Sequence, residues 1–119
     1  MLYGSVRTVK GVKMHTTIRT YETDAAQARE VTRLVEQHFA PKLERLDGFV
    51  AYQMITSPDG KLVTITTCNT PQACTESDKW AAEFVRDRLS DIPITRHDTY
   101  AGEVAFAAAT DTVRHAVHA

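Results

Sequence analysis

Three side chains on one predicted strand have the types needed for acid–base or anion chemistry. The segment KMHTTIRTYE (13–22) is rich in β-branched and aromatic residues, which predicts a strand. Its alternation places His15, Arg19 and Tyr21 on one face. Arg19 could bind a carboxylate or phenolate, and Tyr21 or His15 could pass a proton. The alternative is that Arg19 pairs with an acid across a subunit interface and Tyr21 packs there, because interfaces are rich in both residue types.

Two aromatic residues further along the chain are candidates for lining a ligand pocket. Tyr52 lies on a second predicted strand, with threonines on the next strand within reach of its hydroxyl. Such a pairing also fits a purely structural role. Trp80 lies on a predicted helix beside Ala81 and Phe84, and this spacing favours core packing over contact with a cofactor.

The histidines give weaker signals. His38 lies near the apolar stripe of a predicted helix, where it could be a pocket base or a residue that hydrogen-bonds locally. His97 and Asp98 are adjacent and could form an acid–base pair, although such neighbours are common by chance. His115 and His118 are three positions apart and could hold a metal if the tail were helical, but solvated tail residues are the simpler interpretation.

The two cysteines, Cys68 and Cys74, form neither a metal-binding spacing nor a disulfide framework. Cys74 would lie in the first turns of a helix, at the positive end of its dipole. The chain contains no phosphate-binding loop, dinucleotide fingerprint or zinc spacing. We therefore expect no metal and no cofactor.

Charge and hydropathy limit the partners that this protein is expected to have. The chain has 119 residues and a formal net charge of −1, without the clustered positive charge of a nucleic-acid binder. Its start, MLYGSVRTVKGVKMH, lacks the apolar centre of a secretory signal, and its apolar runs are too short to span a membrane. We expect a cytoplasmic protein with no nucleic-acid or membrane partner.

A long helix should follow the first strand. Asp24 is predicted to cap it, with Gln27 at the reciprocal position of a capping box. Pro41 is predicted to kink it near residues 37–40, and Gly48 to end it in a left-handed conformation. The predicted buried stripe comprises Ala28, Val31, Leu34, Val35, Phe39, Leu43 and Leu46.

A β-hairpin comes next. FVAYQMIT (49–56) and KLVTITTCN (61–69) are predicted antiparallel strands around the turn SPDG (57–60). Pairing Ser57 with Lys61 sets the register.

In this register Tyr52 lies across from Thr66, and Met54 lies across from Thr64. One face then carries Val50, Tyr52, Met54, Thr64, Thr66 and Cys68. The other carries Phe49, Ala51, Ile55, Val63 and Ile65. Both faces are apolar. We expect the side with Phe49, Ala51 and Ile55 to meet the helices and the side with Tyr52 to meet a partner or a pocket, although a shift of one residue would exchange them.

The second half of the chain completes the pattern. NTPQACTESDKWAAEFVRDRLSDI (69–92) predicts a helix, with Thr70 as its N-cap and Pro71 as its first residue. PITRH (93–97) is expected to be a linker and DTYAGEVAFA (98–107) the last strand.

The order of elements predicts the fold class. A single domain is expected, with a core of about 13–107, an N-terminal arm or edge strand (1–12) and a C-terminal tail (108–119). The order strand, helix, strand, strand, helix, strand indicates an α+β, ferredoxin-like βαββαβ fold. Its four-stranded antiparallel sheet would carry both helices on one face.

Several of these segments together resemble the antibiotic biosynthesis monooxygenase-like domains, which are dimeric α+β barrels. The resemblance rests on LDGFVAYQ, the hairpin SPDGKLVTITT, the helix ESDKWAAEFV and the closing AGEVAF, and it covers roughly residues 13–107. In such proteins the sheets of two chains pack face to face with the helices outside. The resemblance therefore implies a homodimer through the sheet face, which would cover the second apolar face of the hairpin.

The resemblance also implies a function: a cofactor-independent monooxygenase acting on a small aromatic or quinone-like molecule. Arg19, Tyr21 and Tyr52 would then supply the proton acceptor and the anion-stabilising group. The alternative is a non-catalytic dimer that binds a small ligand or serves as an accessory module. Haem binding through His38 or His15 is the least favoured, because the Asn, Trp and His of haem-degrading members are missing from the first strand, third strand and second helix.

Overall fold

The computed structural model describes residues 7, 8 and 13–110, so His115, His118 and most of the arm lie outside the described residues. Its elements in chain order are β1 (Arg7–Thr8), β2 (His15–Thr23), α1 (Ala28–Leu34), a π-helical segment (Val35–Phe39), α2 (Ala40–Leu43), β3 (Phe49–Thr56), β4 (Lys61–Cys68), α3 (Pro71–Arg88), β5 (Ile94–Glu103) and β6 (Ala108–Ala109).

Four of the strands form one antiparallel sheet in the order β3–β4–β2–β5. Strand β2, which carries Arg19 and Tyr21, therefore lies inside the sheet with a neighbour on each side. The short strands β1 and β6 pair separately, with Arg7 opposite Ala109. Together with the two helical connections, this order confirms the predicted ferredoxin-like α+β fold.

Pro41 explains why the first helix is built from three consecutive pieces. The carbonyl of Val35 accepts a hydrogen bond from the N–H of Ala40, five residues along, so one turn is wider than in an α-helix. Pro41 has no N–H, and its ring crowds the preceding turn. The disturbance predicted near residues 37–40 thus takes the form of a π-helical turn.

The predicted helix start was wrong. Oδ1 of Asp24 accepts a hydrogen bond from the N–H of Ala26 at 3.2 Å, which belongs to a turn before the helix. The helix itself begins at Ala28, with Gln27 at the N-cap position and no side-chain capping bond. A capping box is thus absent because the chain inserts one extra turn after β2.

The β3–β4 hairpin has the predicted register, with Tyr52 opposite Thr66 and Met54 opposite Thr64. Gly60 in the turn has a φ of 87°, the left-handed conformation that glycine adopts without strain. The turn therefore fixes which residues are neighbours across the hairpin.

The predicted facing of β3 was wrong. Tyr52 and Met54 pack against the helical core, whereas the side chain of Ile55 is 52% exposed. A register shift between Phe49 and Ala51 brings Phe49 to the same side as Tyr52. Because both faces of the strand are apolar, alternation alone could not decide which one meets the helices.

The segment expected to be a linker is mostly strand. Strand β5 begins at Ile94 and pairs with β2, and a register shift between Arg19 and Tyr21 allows Tyr21 to lie opposite Arg96. This pairing brings a second arginine, Arg96, next to Tyr21.

The second helix begins as predicted. Oγ1 of Thr70 accepts a hydrogen bond from the N–H of Ala73 at 3.1 Å, and Pro71 is the first helical residue. In the described part of the chain, no helix has the length and apolar character needed to cross a membrane. The core between sheet and helices comprises Tyr21, Val31, Val35, Phe39, Leu43, Leu62, Ala81 and Leu89.

Candidate functional site

Arg19 is fully buried, and three hydrogen bonds hold its guanidinium. Nε donates to Oδ1 of Asp78 at 2.7 Å, Nη1 to Oγ1 of Thr66 at 3.2 Å, and Nη2 to Oγ of Ser77 at 3.2 Å. A buried charge is stable only with such partners. The acid that pairs with Arg19 lies on α3 of the same chain, whereas the alternative considered from the sequence placed that acid across a subunit interface.

Arg96 extends this network to the hydroxyl of Tyr21. Its Nη1 donates to the same Oδ1 of Asp78 at 3.1 Å, and its Nη2 donates to the hydroxyl of Tyr21 at 3.3 Å. The guanidinium carbon lies 5.6 Å from the centre of the Tyr21 ring. Because the Tyr21 oxygen accepts from Arg96, its own O–H can donate in another direction.

Sequence reasoning missed Arg96 because the segment PITRH was interpreted as a linker. The available signal was weak: Ile94 and Thr95 are β-branched residues of the kind that favour strands. The proline at the start and the polar residues that follow outweighed it.

A small pocket of about 30 Å³ lies between the sheet and the helices. Its described lining residues are apolar except for three that carry a hydroxyl group, which are Tyr21, Tyr52 and Thr64. This volume accommodates one or two water molecules, whereas a cavity that binds benzene measures roughly 150 Å³. An aromatic ligand could therefore enter only if part of the wall moved.

Phe39 lies in the wall of the pocket and packs against two other aromatic residues of that wall. Its ring centre lies 5.7 Å from that of Tyr52, in an edge-to-face arrangement, and 5.3 Å from that of Phe84. Phe39 is the last residue of the π-helical segment, just before Pro41. Wider turns of this kind occur frequently at functional sites.

The hydroxyl of Thr64 is the unusual polar group of this pocket. Thr64 is 5% exposed, and its Oγ1 makes no hydrogen bond of ordinary geometry to any residue that the structure describes. A buried polar group without a partner is rare and calls for an explanation, such as a ligand or a water molecule. Thr64 therefore marks the polar end of the pocket.

Tyr52 lies beside Thr64 at this polar end. Burial and the neighbouring Tyr21 raise the pKa of the Tyr52 hydroxyl above its usual value of about 10, while Arg19 and Thr64 oppose part of the rise. Tyr52 is therefore protonated at neutral pH and can donate a hydrogen bond. It is unsuited to the role of proton acceptor.

The other sequence-predicted site residues lie away from this pocket. Trp80 is half-buried against the core, and its Nε1 donates to Oε1 of Glu76 at 2.9 Å. His38 is exposed, and the half-buried His15 uses its backbone carbonyl to accept a hydrogen bond from Sγ of Cys74 at 3.2 Å. None of the histidines that the structure describes lines the pocket, so the described wall offers no histidine ligand to a haem iron.

The two cysteines are free thiols, buried close together. Burial, followed by the neighbouring Cys74, raises the pKa of Cys68 to about 12. Cys74, His15 and Asp78 also line an open groove of about 340 Å³ between β2, β5 and α3. Within the described residues, no cluster of three or more histidine, cysteine or acidic side chains could hold a metal.

Neither a family model nor a curated protein matches this sequence. Solved structures do match its fold. A candidate antibiotic biosynthesis monooxygenase from Nitrosomonas europaea is 15% identical with a TM-score of 0.58, and the match covers 79% of this chain and 94% of that one. The ActVA-Orf6 monooxygenase from Streptomyces coelicolor, in complex with nanaomycin D, is 21% identical with a TM-score of 0.56. The match covers 78% of this chain and 86% of that one. A dimeric ferredoxin-like protein from an uncultured marine organism is 9% identical with a TM-score of 0.60. The match covers 78% of this chain and 94% of that one.

These identities are low, and one fold can host many activities, so the likeness concerns architecture and not chemistry. The sheet order and the two helical connections agree with that architecture. The chain has the ferredoxin-like α+β fold seen in antibiotic biosynthesis monooxygenase-like proteins.

Proposed function

We propose that this protein is a cofactor-independent oxygenase that acts on a small quinol- or anthrone-like molecule bound in the pocket between sheet and helices. The observation that carries the proposal is the buried Thr64 hydroxyl, which lies beside Tyr52 in the wall of an apolar pocket and makes no hydrogen bond of ordinary geometry to the described residues. Together with the hydroxyls of Tyr21 and Tyr52 it would surround a substrate oxygen. The rest of the wall would hold the aromatic ring.

The reaction requires no cofactor because the substrate itself supplies the electrons. A ring CH₂ activated by a carbonyl of the same ring, present in an anthrone and in the keto tautomer of a hydroquinone, loses a proton to a solvent water molecule that enters with the substrate, and the resulting carbanion is stabilised as an enolate. The enolate transfers an electron to O₂, and the two radicals combine to form a C–O bond. The peroxide anion takes back a proton from solvent to become a hydroperoxide, which then loses water, so one oxygen atom enters the product as a carbonyl and the other leaves as water.

The three hydroxyls would act on the enolate oxygen. Donors that are fixed before the reaction stabilise developing negative charge without having to reorganise. Tyr52 suits this role because its raised pKa keeps it protonated. Arg19, which the sequence suggested as a direct contact, would act from behind the pocket because its donors are engaged by Asp78, Thr66 and Ser77.

Substrate binding would require Phe39 to move. The pocket must gain about 120 Å³ to reach the size that accepts a benzene ring. Rotation of the Phe39 ring away from Phe84, or a shift of the π-helical segment, would enlarge the pocket.

Oxygen uptake tests this proposal. The purified protein would be mixed with anthrone and with 1,4-naphthohydroquinone, each with and without a chelator, and the uncatalysed oxidation subtracted. We expect uptake that the chelator leaves unchanged and that Thr64→Val lowers at least about tenfold. Thr95→Val, a change of the same type on the exposed part of β5, is the matched control and should retain full activity. Uptake indistinguishable from the uncatalysed rate, in both the natural chain and Phe39→Ala, would refute the proposal.

A binding module without catalysis is the second candidate, and one observation favours it. Among the described residues, the pocket wall contains no histidine, carboxylate, amine or thiol that could accept the substrate proton. A ligand-binding role needs no such group. Ligand binding detected by calorimetry, without oxygen uptake, would support this candidate over the oxygenase.

The outer face of the sheet is proposed as a homodimer interface. Ile55 and Tyr100 are 52% and 62% exposed, and Ile18, Val63 and Ile65 lie on the same face. Exposed apolar area of this kind is typical of subunit interfaces. Sedimentation at micromolar concentration should show a dimer that Tyr100→Glu converts to monomer. A folded monomer of the natural chain would contradict this interface.

A further inference from the structure

Three charges behind the pocket hydroxyls do not cancel. Arg19 and Arg96 both donate to Oδ1 of Asp78, at 2.7 Å and 3.1 Å. Two guanidiniums that share one carboxylate leave one net positive charge. Among residues 13–110, no further ion pair joins this cluster.

This charge lies next to the polar end of the pocket. Arg96 donates to the hydroxyl of Tyr21, which lines the pocket, and the charge of Arg19 acts on the hydroxyl of Tyr52. Arg19 is fully buried, so solvent ions screen its charge much less than they screen a surface charge. The apolar wall lowers the local dielectric further and strengthens the effect.

We infer that the pocket selects aromatic ligands that carry a negative charge beside the ring, as a carboxylate, phenolate or enolate, and that Arg96 is a positioning residue for this preference. The inference rests on the proposed pocket and specifies its ligand class. Arg96 would act in two ways. Its hydrogen bond to the Tyr21 oxygen leaves the Tyr21 O–H free to donate to the ligand. Its positive charge adds to that of Arg19, and the single carboxylate of Asp78 neutralises only one of the two.

A matched pair of ligands separates charge from shape. The carboxylate 2-naphthoate and the neutral 2-naphthamide have the same ring system and nearly the same outline. Calorimetric titration of the natural chain near neutral pH should show that the carboxylate binds at least about tenfold more tightly, the preference expected from one partly screened charge nearby. Phe39→Ala, titrated in parallel, tests the same preference in a wider pocket.

Substitutions of Arg96 then test its role. Arg96→Gln should reduce the preference for 2-naphthoate over 2-naphthamide to less than threefold. Arg96→Lys keeps the charge and should retain most of this preference. Arg33→Gln makes the same change of charge at an exposed helix position and should leave the preference unaltered. Circular dichroism of each variant checks that the fold is retained.

Equal affinity for the two ligands, no binding of either one to the natural chain and to Phe39→Ala, or an unchanged preference in Arg96→Gln would each overturn the inference. The proposed oxygenase fails differently. Missing oxygen uptake refutes the oxygenase but leaves the charge preference intact, because a pocket can bind anions without turnover. Oxygen uptake together with equal affinities for the two ligands would refute only the charge preference.

Discussion

Replacing Thr64 by valine should stabilise the free protein while weakening its function. Valine has nearly the same shape as threonine, so the core packing is retained and only the hydroxyl is lost. In the free protein this hydroxyl is buried and makes no hydrogen bond of ordinary geometry to the described residues. Burying a hydroxyl without a partner costs roughly 1–3 kcal/mol in proteins.

The expected magnitude can be measured in a chain of this size. We take the lower end of that range and expect Thr64→Val to raise the free energy of unfolding by about 1 kcal/mol. For 119 residues the entropy of unfolding near the midpoint is about 0.25 kcal/mol/K, so the melting temperature should rise by about 4 °C. Urea unfolding followed by the fluorescence of Trp80, which is the single tryptophan, gives the first quantity directly.

Thr66→Val is the matched control, two residues along the same face of β4. Thr66 is fully buried, and its Oγ1 accepts a hydrogen bond from Nη1 of Arg19 at 3.2 Å. Losing the Thr66 hydroxyl leaves Nη1 of the charged Arg19 without its partner in the core, which should lower the free energy of unfolding by about 2 kcal/mol. The two substitutions remove the same chemical group and should change the free energy of unfolding in opposite directions. If Thr64→Val destabilises the chain as much as Thr66→Val does, then the Thr64 hydroxyl is satisfied in the free protein and marks no ligand position.

Three further predictions concern stability. Gly60→Ala should lower the free energy of unfolding by more than about 1 kcal/mol, since φ is 87° and a methyl group would overlap the backbone of Thr23, whereas Gly102→Ala, with open space around it, should be nearly neutral by the same urea titration. Asp78→Asn should cost about 2 kcal/mol, less than a fully buried pair because the Asp78 side chain is 39% exposed; no loss would show that Arg19 does not depend on this partner. Stability should fall as pH rises from about 9 towards 12, because the unfolded chain releases the Cys68 thiol proton near 9 while the folded chain holds it to about 12. Urea unfolding at pH 8.0, 9.5 and 10.5 should show this fall, which Cys68→Ala should reduce, and an unchanged pH dependence in that variant would contradict it.

The fold followed from local signals because each of them has a direct physical cause. Pro71 and Thr70 mark the start of α3 wherever the helix lies, since a proline needs no N–H there and the threonine oxygen satisfies one. The turn that ends at Gly60 likewise fixes the pairing of Tyr52 with Thr66. These features need no knowledge of the rest of the molecule.

The facing of β3 depends on distant residues and was therefore out of reach. Both faces of the strand are apolar, so the choice between them is made by which side meets the helices. The shift between Phe49 and Ala51 changes the alternation within the strand itself. The same limit applies to Arg96, which becomes a site residue only because β5 begins early enough to place it opposite Tyr21.

The candidate site was only partly predictable for a similar reason. The sequence indicated Arg19, Tyr21 and Tyr52 by their types and by the alternation of their strands. It could not show that Thr66 accepts a well-formed hydrogen bond from Arg19 while Thr64 makes none of ordinary geometry to the described residues, because the two threonines have the same type, face and strand. Hydrogen-bond satisfaction is a property of the assembled core, and in this protein it is what distinguishes a structural residue from a candidate binding residue.

The arginine network also determines which substitution can separate structure from recognition. Arg19 joins β2 to β4 and α3 through three side-chain hydrogen bonds, so any change there disturbs the fold together with the charge behind the pocket. Loss of ligand binding in an Arg19 variant would therefore say little about recognition. Arg96 is 30% exposed and contributes charge and one hydrogen bond to Tyr21 at the edge of the same network. A change in ligand preference without a large change in stability is thus expected at Arg96 and not at Arg19, and finding the reverse would place recognition in the buried arginine.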